Sequence, residues 1–187
     1  MRIYMRNLIA GFVAVLLCTF ALGLAYPAAV WGISRIKVDS AEGSLLYQGE
    51  CLAGSAKIQD GVSEGPYFFP RAEGMSNYGA SSAVLQEEIG KRRQAIAQRE
   101  GVAEGEVPSD AVTGSGSGVD PGISPAYAAL QAPRVAREQG MSVAEVEELI
   151  ATHTDLASLG ILGQDAVNVT TLNMALPTPP PCACLLY

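Results

Sequence analysis

The residues with the most room for chemistry lie in one run, Val112-Thr-Gly-Ser-Gly-Ser-Gly-Val-Asp-Pro-Gly-Ile-Ser-Pro125. Gly114, Gly116 and Gly118 alternate with Ser115 and Ser117, while Asp120-Pro121 and Ser124-Pro125 fix the exit. Glycine admits positive φ, so successive backbone N–H groups can converge on an anion such as a phosphate oxygen. A helix starting at Pro125 would add the positive end of its dipole. The same composition also suits a flexible spacer. Asp110 and Asp120 flank the glycine–serine stretch, and no Lys or Arg occurs between Arg99 and Arg134. That distribution opposes a phosphate ligand held by this chain alone.

No enzyme signature is found. The glycine run fits neither G-x-S-x-G nor G-x-G-x-x-G, and no G-x-x-x-x-G-K-[ST] loop occurs. The lone histidine, His153, falls at an expected helix C-terminus beside Thr154, where an imidazole satisfies end carbonyls. A hydrolase using His153 is the alternative, and it lacks a partnered nucleophile. Cys18 lies in an apolar run, Cys51 stands apart, and Cys182 and Cys184 form a C-x-C pair in a Pro-rich tail. That pair lacks the further ligands zinc requires, so no metal is expected.

These residues must be positioned by the elements around them. Asn7 to Ser34 carries no charge, and Leu8 to Val30 is nearly all apolar, enough to cross about 30 Å of hydrocarbon as a helix. A cleaved signal peptide is the competing reading, with Arg2 and Arg6 as its basic end and Gly23-Leu-Ala25 as its cleavage site. The apolar run continues past that site to Trp31, and Tyr26 and Trp31 suit the headgroup belt, so an anchor is preferred. Arg2, Arg6 and the α-amino group precede the span, against Arg35 and Lys37 after it. The bias places the N-terminus inside and the rest outside the cytoplasm. The chain then divides into a short N-terminal segment (1–7), a transmembrane helix (8–31), a soluble extracytoplasmic domain (32–176) and a Pro/Cys-rich tail (177–187). After the span, ten Lys and Arg face nineteen Asp and Glu, a formal charge of −9 that excludes nucleic acid as a partner.

Gly43 to Tyr47 and Gly54 to Ile58 read as short strands, and Tyr67-Phe-Phe69 as a buried strand or hairpin. Arg71 to Ser82 reads as a surface loop, and Gly160 to Asp165 as a turn. A helix is expected over Ala83 to Arg99, with Glu87–Lys91 and Glu88–Arg92 as i,i+4 pairs. Ser124 and Pro125 start a second helix that Gly140 ends and Pro133 kinks. Ser142-Val-Ala-Glu145 is a capping box opening a third, to about Thr154. Val167 to Leu176 alternates like a strand and then closes as a helix. The expected class is α+β: one N-terminal transmembrane helix, then a small soluble domain with a mixed sheet and about three helices.

Taken in order, Val107-Pro-Ser-Asp110, Thr113 to Pro121, Ile123-Ser-Pro125, Arg134-Val-Ala136, Val167-Asn-Val169 and Leu172-Asn173 resemble the C subunit of the Kdp potassium-transporting P-type ATPase. The blocks match from Val107 to Leu176, and the single N-terminal span fits the same family. Upstream the pattern departs, because Tyr67-Phe-Phe-Pro-Arg71 is followed by Ala72-Glu73 where the family usually has Pro-Ser. The resemblance implies a non-catalytic accessory subunit of a high-affinity, ATP-driven potassium uptake complex in the plasma membrane. Its partners would be the potassium-translocating A subunit, the ATP-hydrolysing B subunit and membrane lipid. The alternative it implies is a catalytic chaperone that raises the ATP affinity of the B subunit through a ternary complex with ATP. On that reading, the resemblance implies that Ser115, Gly116, Ser117, Gly118 and Asp120 would face the nucleotide.

Overall fold

The computed structural model describes residues 1–59, 62, 64–72, 78–79, 81–157 and 162–182. They form two compact units, Met1–Ser44 and Leu45–Tyr187.

The first unit is a helical run over Arg2–Ala41, long and apolar enough to cross a membrane. It is built from α1 (Arg2–Phe20), a π-helical stretch (Ala21–Ala25), α2 (Tyr26–Ser34), a 3-10 turn (Arg35–Lys37) and α3 (Val38–Ala41). The π stretch lies just before Pro27. Proline has no N–H to donate and its ring crowds the carbonyl four residues back, and a widened turn accommodates both. The Arg35 guanidinium stacks 5.2 Å from the Trp31 ring centroid and reaches Glu42 at 3.1 Å. Such amphipathic side chains suit the end of an apolar span.

The second unit opens with an antiparallel hairpin of β1 (Leu45–Gln48) and β2 (Cys51–Ser55). Its two-residue turn has Gly49 at φ 65, a conformation that glycine takes without Cβ strain. The turn sets the register, so β2 begins at Cys51 rather than at the expected Gly54. Next come α4 (Ala83–Glu100), a 3-10 turn (Glu104–Glu106), α5 (Ser109–Val112), β3 (Gly122–Ile123), α6 (Pro125–Gln139), α7 (Val143–Thr152), β4 (Thr154–Asp155), β5 (Ala166–Asn168) and α8 (Val169–Met174). Strands β3, β5 and β4 form a second antiparallel sheet with β5 in the middle. The α+β class holds, with its strands divided between two small antiparallel sheets rather than gathered in a mixed one. The hairpin pairs with its chain neighbour across a two-residue turn, whereas β3 reaches β5 past α6, α7 and β4.

Helix starts follow their caps. The hydroxyls of Ser82, Ser124 and Ser142 accept from the N–H groups of Leu85, Tyr127 and Glu145. Gly101 and Gly140 end α4 and α6 in the left-handed conformation. Glu145 returns a bond to the Ser142 N–H at 2.8 Å, completing the capping box, and these bonds hold its carboxyl below the usual carboxylate range. On α4, Lys91 pairs with Glu87 at 2.7 Å, whereas Arg92 reaches the Val112 carbonyl at 3.3 Å. The core gathers Ile96, Val112, Ile123, Tyr127, Val135, Val146, Val167 and Leu172 around Phe68.

Phe68 and Phe69 are buried as expected, but they are not in a strand. Two carboxamides stand in for neighbouring strands. Asn173 accepts from the Phe68 N–H at 2.8 Å and donates to its carbonyl at 2.9 Å. Gln131 does the same for Phe69, at 2.8 and 3.1 Å. Both amides are fully buried, so they satisfy backbone groups that water cannot reach.

Candidate functional site

The glycine loop is folded on itself. Gly118, at φ 76, donates from its N–H to the Ser115 carbonyl at 3.2 Å, which closes a turn. Ser115 is buried and its hydroxyl accepts from the Asp120 N–H at 3.4 Å. The Ser117 hydroxyl accepts from the Val119 N–H at 3.2 Å. Asp120 accepts from the Gly122 N–H at 2.9 Å and is ion-paired with Arg71. Of the five residues the resemblance marks, Gly116 and Ser117 are exposed, Gly118 and Asp120 are half-buried and Ser115 is buried.

Three outside elements fix this shape. Asp110, from α5, accepts from both the N–H and the hydroxyl of Ser124, at 2.9 and 2.8 Å, and so seats the N-cap of α6. From the stretch after β2, the Gln59 N–H donates to the Val119 carbonyl at 2.9 Å and its amide to Gly118 at 3.4 Å. The same stretch accepts from Asn168 at Ala56 and from Thr170 at Ile58. The third element is the Tyr67–Arg71 segment. Its aromatics sit in the two amide clamps, and its last residue holds Asp120. The expected surface loop over 71–82 is thus tethered at Arg71, while 73–77 and Ala80 lie outside the described residues.

Behind this segment lies a charged cluster that local sequence reasoning missed. The guanidinium groups of Arg99 and Arg134 stand 4.2 and 4.7 Å from the Phe69 ring centroid. The Glu100 side chain is fully buried between them, accepting from Arg134 at 2.9 Å and from Arg99. Arg134 also donates to the Tyr67 carbonyl at 3.0 Å, and Arg99 to the Tyr127 hydroxyl at 2.9 Å. Burial pushes the Tyr127 phenol above its ordinary pKa, against the pull of Arg99. Arg99 in the last turn of α4 and Arg134 in the middle of α6 lie 35 residues apart, so neither gives a local sign that both will stack on the Phe69 ring far upstream.

A cleft of about 180 Å³ opens beside the loop, lined by Arg71, Asp110, Asp120, Gly122, Ser124 and Asp165 among others. That volume is below the few hundred Å³ of a drug-sized ligand site. Three carboxylates face one guanidinium there, and that guanidinium is held by Asp120. The Ser115 and Ser117 hydroxyls and the Asp120 carboxylate accept from backbone N–H groups within the loop itself. A wider groove of about 530 Å³ is lined by Glu64, Gly65, Pro66, Phe69, Arg99, Arg134 and Glu138. Its two arginines are committed to Glu100, Glu138, Tyr67 and Tyr127.

His153 ends α7, with Nδ1 2.8 Å from the Leu149 carbonyl and its N–H on the Leu149 and Ile150 carbonyls. This is the end-carbonyl role expected of it. Among the described residues, no three His, Cys, Asp or Glu side chains gather where they could hold a metal ion. Cys51 is not isolated, since it is disulfide-bonded to Cys182, at a sequence separation of 131. Cys184 lies outside the described residues.

One long apolar helix followed in the chain by a small α+β unit with a self-braced loop defines the class, a membrane-associated protein with one candidate span among the described residues. Residues 8–178 match the model of the family described as KdpC, the c chain of the K+-transporting ATPase. The chain is 40% identical over 184 residues to the potassium-transporting ATPase KdpC subunit of Beijerinckia indica, covering 92% of this chain and 93% of that protein. It is likewise 40% identical to the KdpC subunit of Mycobacterium bovis, covering 91% and 97%. The subunit of the same name from Cereibacter sphaeroides is 39% identical over 186 residues, covering 94% and 97%. The chain belongs to the KdpC family.

Proposed function

We propose that this chain is a non-catalytic accessory subunit of an ATP-driven potassium uptake complex, assembling and stabilising the potassium-translocating A subunit and the ATP-hydrolysing B subunit. The observation that carries this reading is the internally satisfied glycine loop. Its hydroxyls and its carboxylate are spent on shape, leaving Gly116, Ser117 and Val119 as an exposed, uncharged tip. A rigid neutral tip suits docking against another protein, because little conformational freedom is lost on contact. The apolar helix packs among the membrane parts of the complex, and the −9 unit stands on the outer side. Arg2 and Arg6 before the span support that orientation. So does the Cys51–Cys182 disulfide, since such bonds persist in oxidising compartments.

Pull-down of a tagged chain from membranes tests the assembly role. The A and B subunits are expected to co-purify with the wild type and to be lost when Arg71→Ala frees Asp120 and the loop. Full assembly and potassium uptake in cells lacking this chain would overturn the reading. Ser115→Ala with Ser117→Ala is expected to leave the ATP affinity of the complex unchanged, and a large loss would assign the loop to the nucleotide. Orientation is read by Ser117→Cys in a Cys184→Ser background, labelled in intact cells by a membrane-impermeant maleimide. Labelling only after lysis would place the loop inside.

A further inference from the structure

The hairpin and the tail are peripheral segments joined by a covalent bond. No residue of β1 or β2 belongs to the apolar core cluster, and Leu45 and Tyr47 are 43% and 59% exposed. After β2 the chain is tied back by the polar bonds at Ala56, Ile58 and Gln59. The tail beyond Leu176 is held by a reciprocal pair between Gln139 and the Thr178 backbone and by a long Tyr67 hydroxyl contact to Pro179. Cys51 stands at the hairpin turn and Cys182 follows Pro181 in the tail. Each segment alone has too little burial to resist local opening. The bond between them removes that freedom and closes a loop around nearly all of the second unit.

We propose that Cys51–Cys182 is a redox-removable staple. When it is oxidised, hairpin and tail form one fixed surface next in the chain to the membrane helix. When it is reduced, both are released while the core stays folded. In the forming step the Cys51 and Cys182 thiols give up two electrons and two protons as their S–S bond forms. A disulfide carried by a thiol oxidoreductase accepts them and becomes two thiols. A dithiol reductant reverses the exchange. The staple rests on the outward orientation proposed above, because a reducing compartment would keep the thiols apart.

The full-length chain in detergent provides the test. Peptide mapping without reductant is expected to recover Cys51 cross-linked to Cys182. Recovery of Cys51 alkylated, or linked to Cys184, overturns the proposal. Because mapping is independent of Ser117→Cys labelling, an unlinked Cys51 in a chain labelled from outside defeats the staple and leaves the orientation standing. Hydrogen exchange then reads the release. Reductant, Cys51→Ser or Cys182→Ser is each expected to speed exchange over 45–55 and at Thr178, whose N–H is held by Gln139, by about tenfold or more, with α6 unchanged. Equal exchange in the oxidised and reduced chains, or loss of protection in α6 as well, overturns the proposal. The two single variants must agree with each other and be insensitive to reductant.

Discussion

At the scale of single residues, the site is built from side chains that replace missing backbone partners. Asn173 and Gln131 each give one donor and one acceptor to a buried aromatic residue that no strand pairs. An Asn173→Leu variant keeps the branched side-chain skeleton but leaves the Phe68 N–H and carbonyl unpaired. The expected loss is about 3 kcal/mol, a fall of roughly 6 to 12 °C in Tm. A drop of less than about 1 kcal/mol would mean that the clamp does not close on this segment. Tyr127 gives a pH signature. Its pKa lies above the ordinary 10.0 because of burial, so the folded state keeps a proton that the unfolded chain has already released. Stability is therefore full below about pH 10 and is lost as pH rises through the raised value. Thermal unfolding from pH 8.5 to 11 should show this fall in the wild type. Tyr127→Phe should remove that part of the slope at the cost of the Arg99 bond.

At the scale of elements, Asp110 and Ser124 join the loop to α6. The Ser124 hydroxyl accepts from the Tyr127 N–H and donates to Asp110, so one atom serves as cap and brace. Ser124→Ala should cost about 1 to 2 kcal/mol, and Ser124→Thr should restore most of it, read by chemical denaturation with helicity as the probe. Equal stability of the alanine variant would remove the brace from the account. Helix boundaries were legible in the sequence because caps lie within a few residues of the groups they satisfy. Ser82, Ser124, Ser142, Gly101 and Gly140 all act as the local rules require. The candidate loop was legible as a shaped loop only through its neighbouring blocks. What braces it was not legible, because Arg71 meets Asp120 across 49 residues and Asn173 meets Phe68 across 105. Tyr67 to Phe69 carries the hydrophobicity of a strand, yet its partners are side chains, which periodicity does not reveal. The Cys51–Cys182 pair is equally invisible to spacing, since four cysteines allow three complete pairings.

At the scale of the whole molecule, the two units differ in the surface they expose. The first unit exposes Leu16, Leu17, Phe20, Leu22 and Leu24, side chains that need lipid or a partner's helices. The second carries its own core, every member of which lies between Phe68 and Leu176. Within residues 45–187, eight Lys and Arg stand against seventeen Asp and Glu, a formal charge of −9. A unit with a core of its own and no apolar span should fold without the helix. We therefore expect the fragment 45–187, made under oxidising conditions, to be soluble and to unfold in one cooperative transition. Its negative charge repels itself most strongly at low ionic strength, so the midpoint should rise as salt increases from about 0.01 M to 0.15 M, where the Debye length falls from about 30 to 8 Å. Calorimetry at the two salt concentrations measures both effects. A fragment that aggregates or melts without a transition would show that the second unit depends on the span or on its partners for its fold, and would make the membrane helix part of the folding unit rather than its anchor.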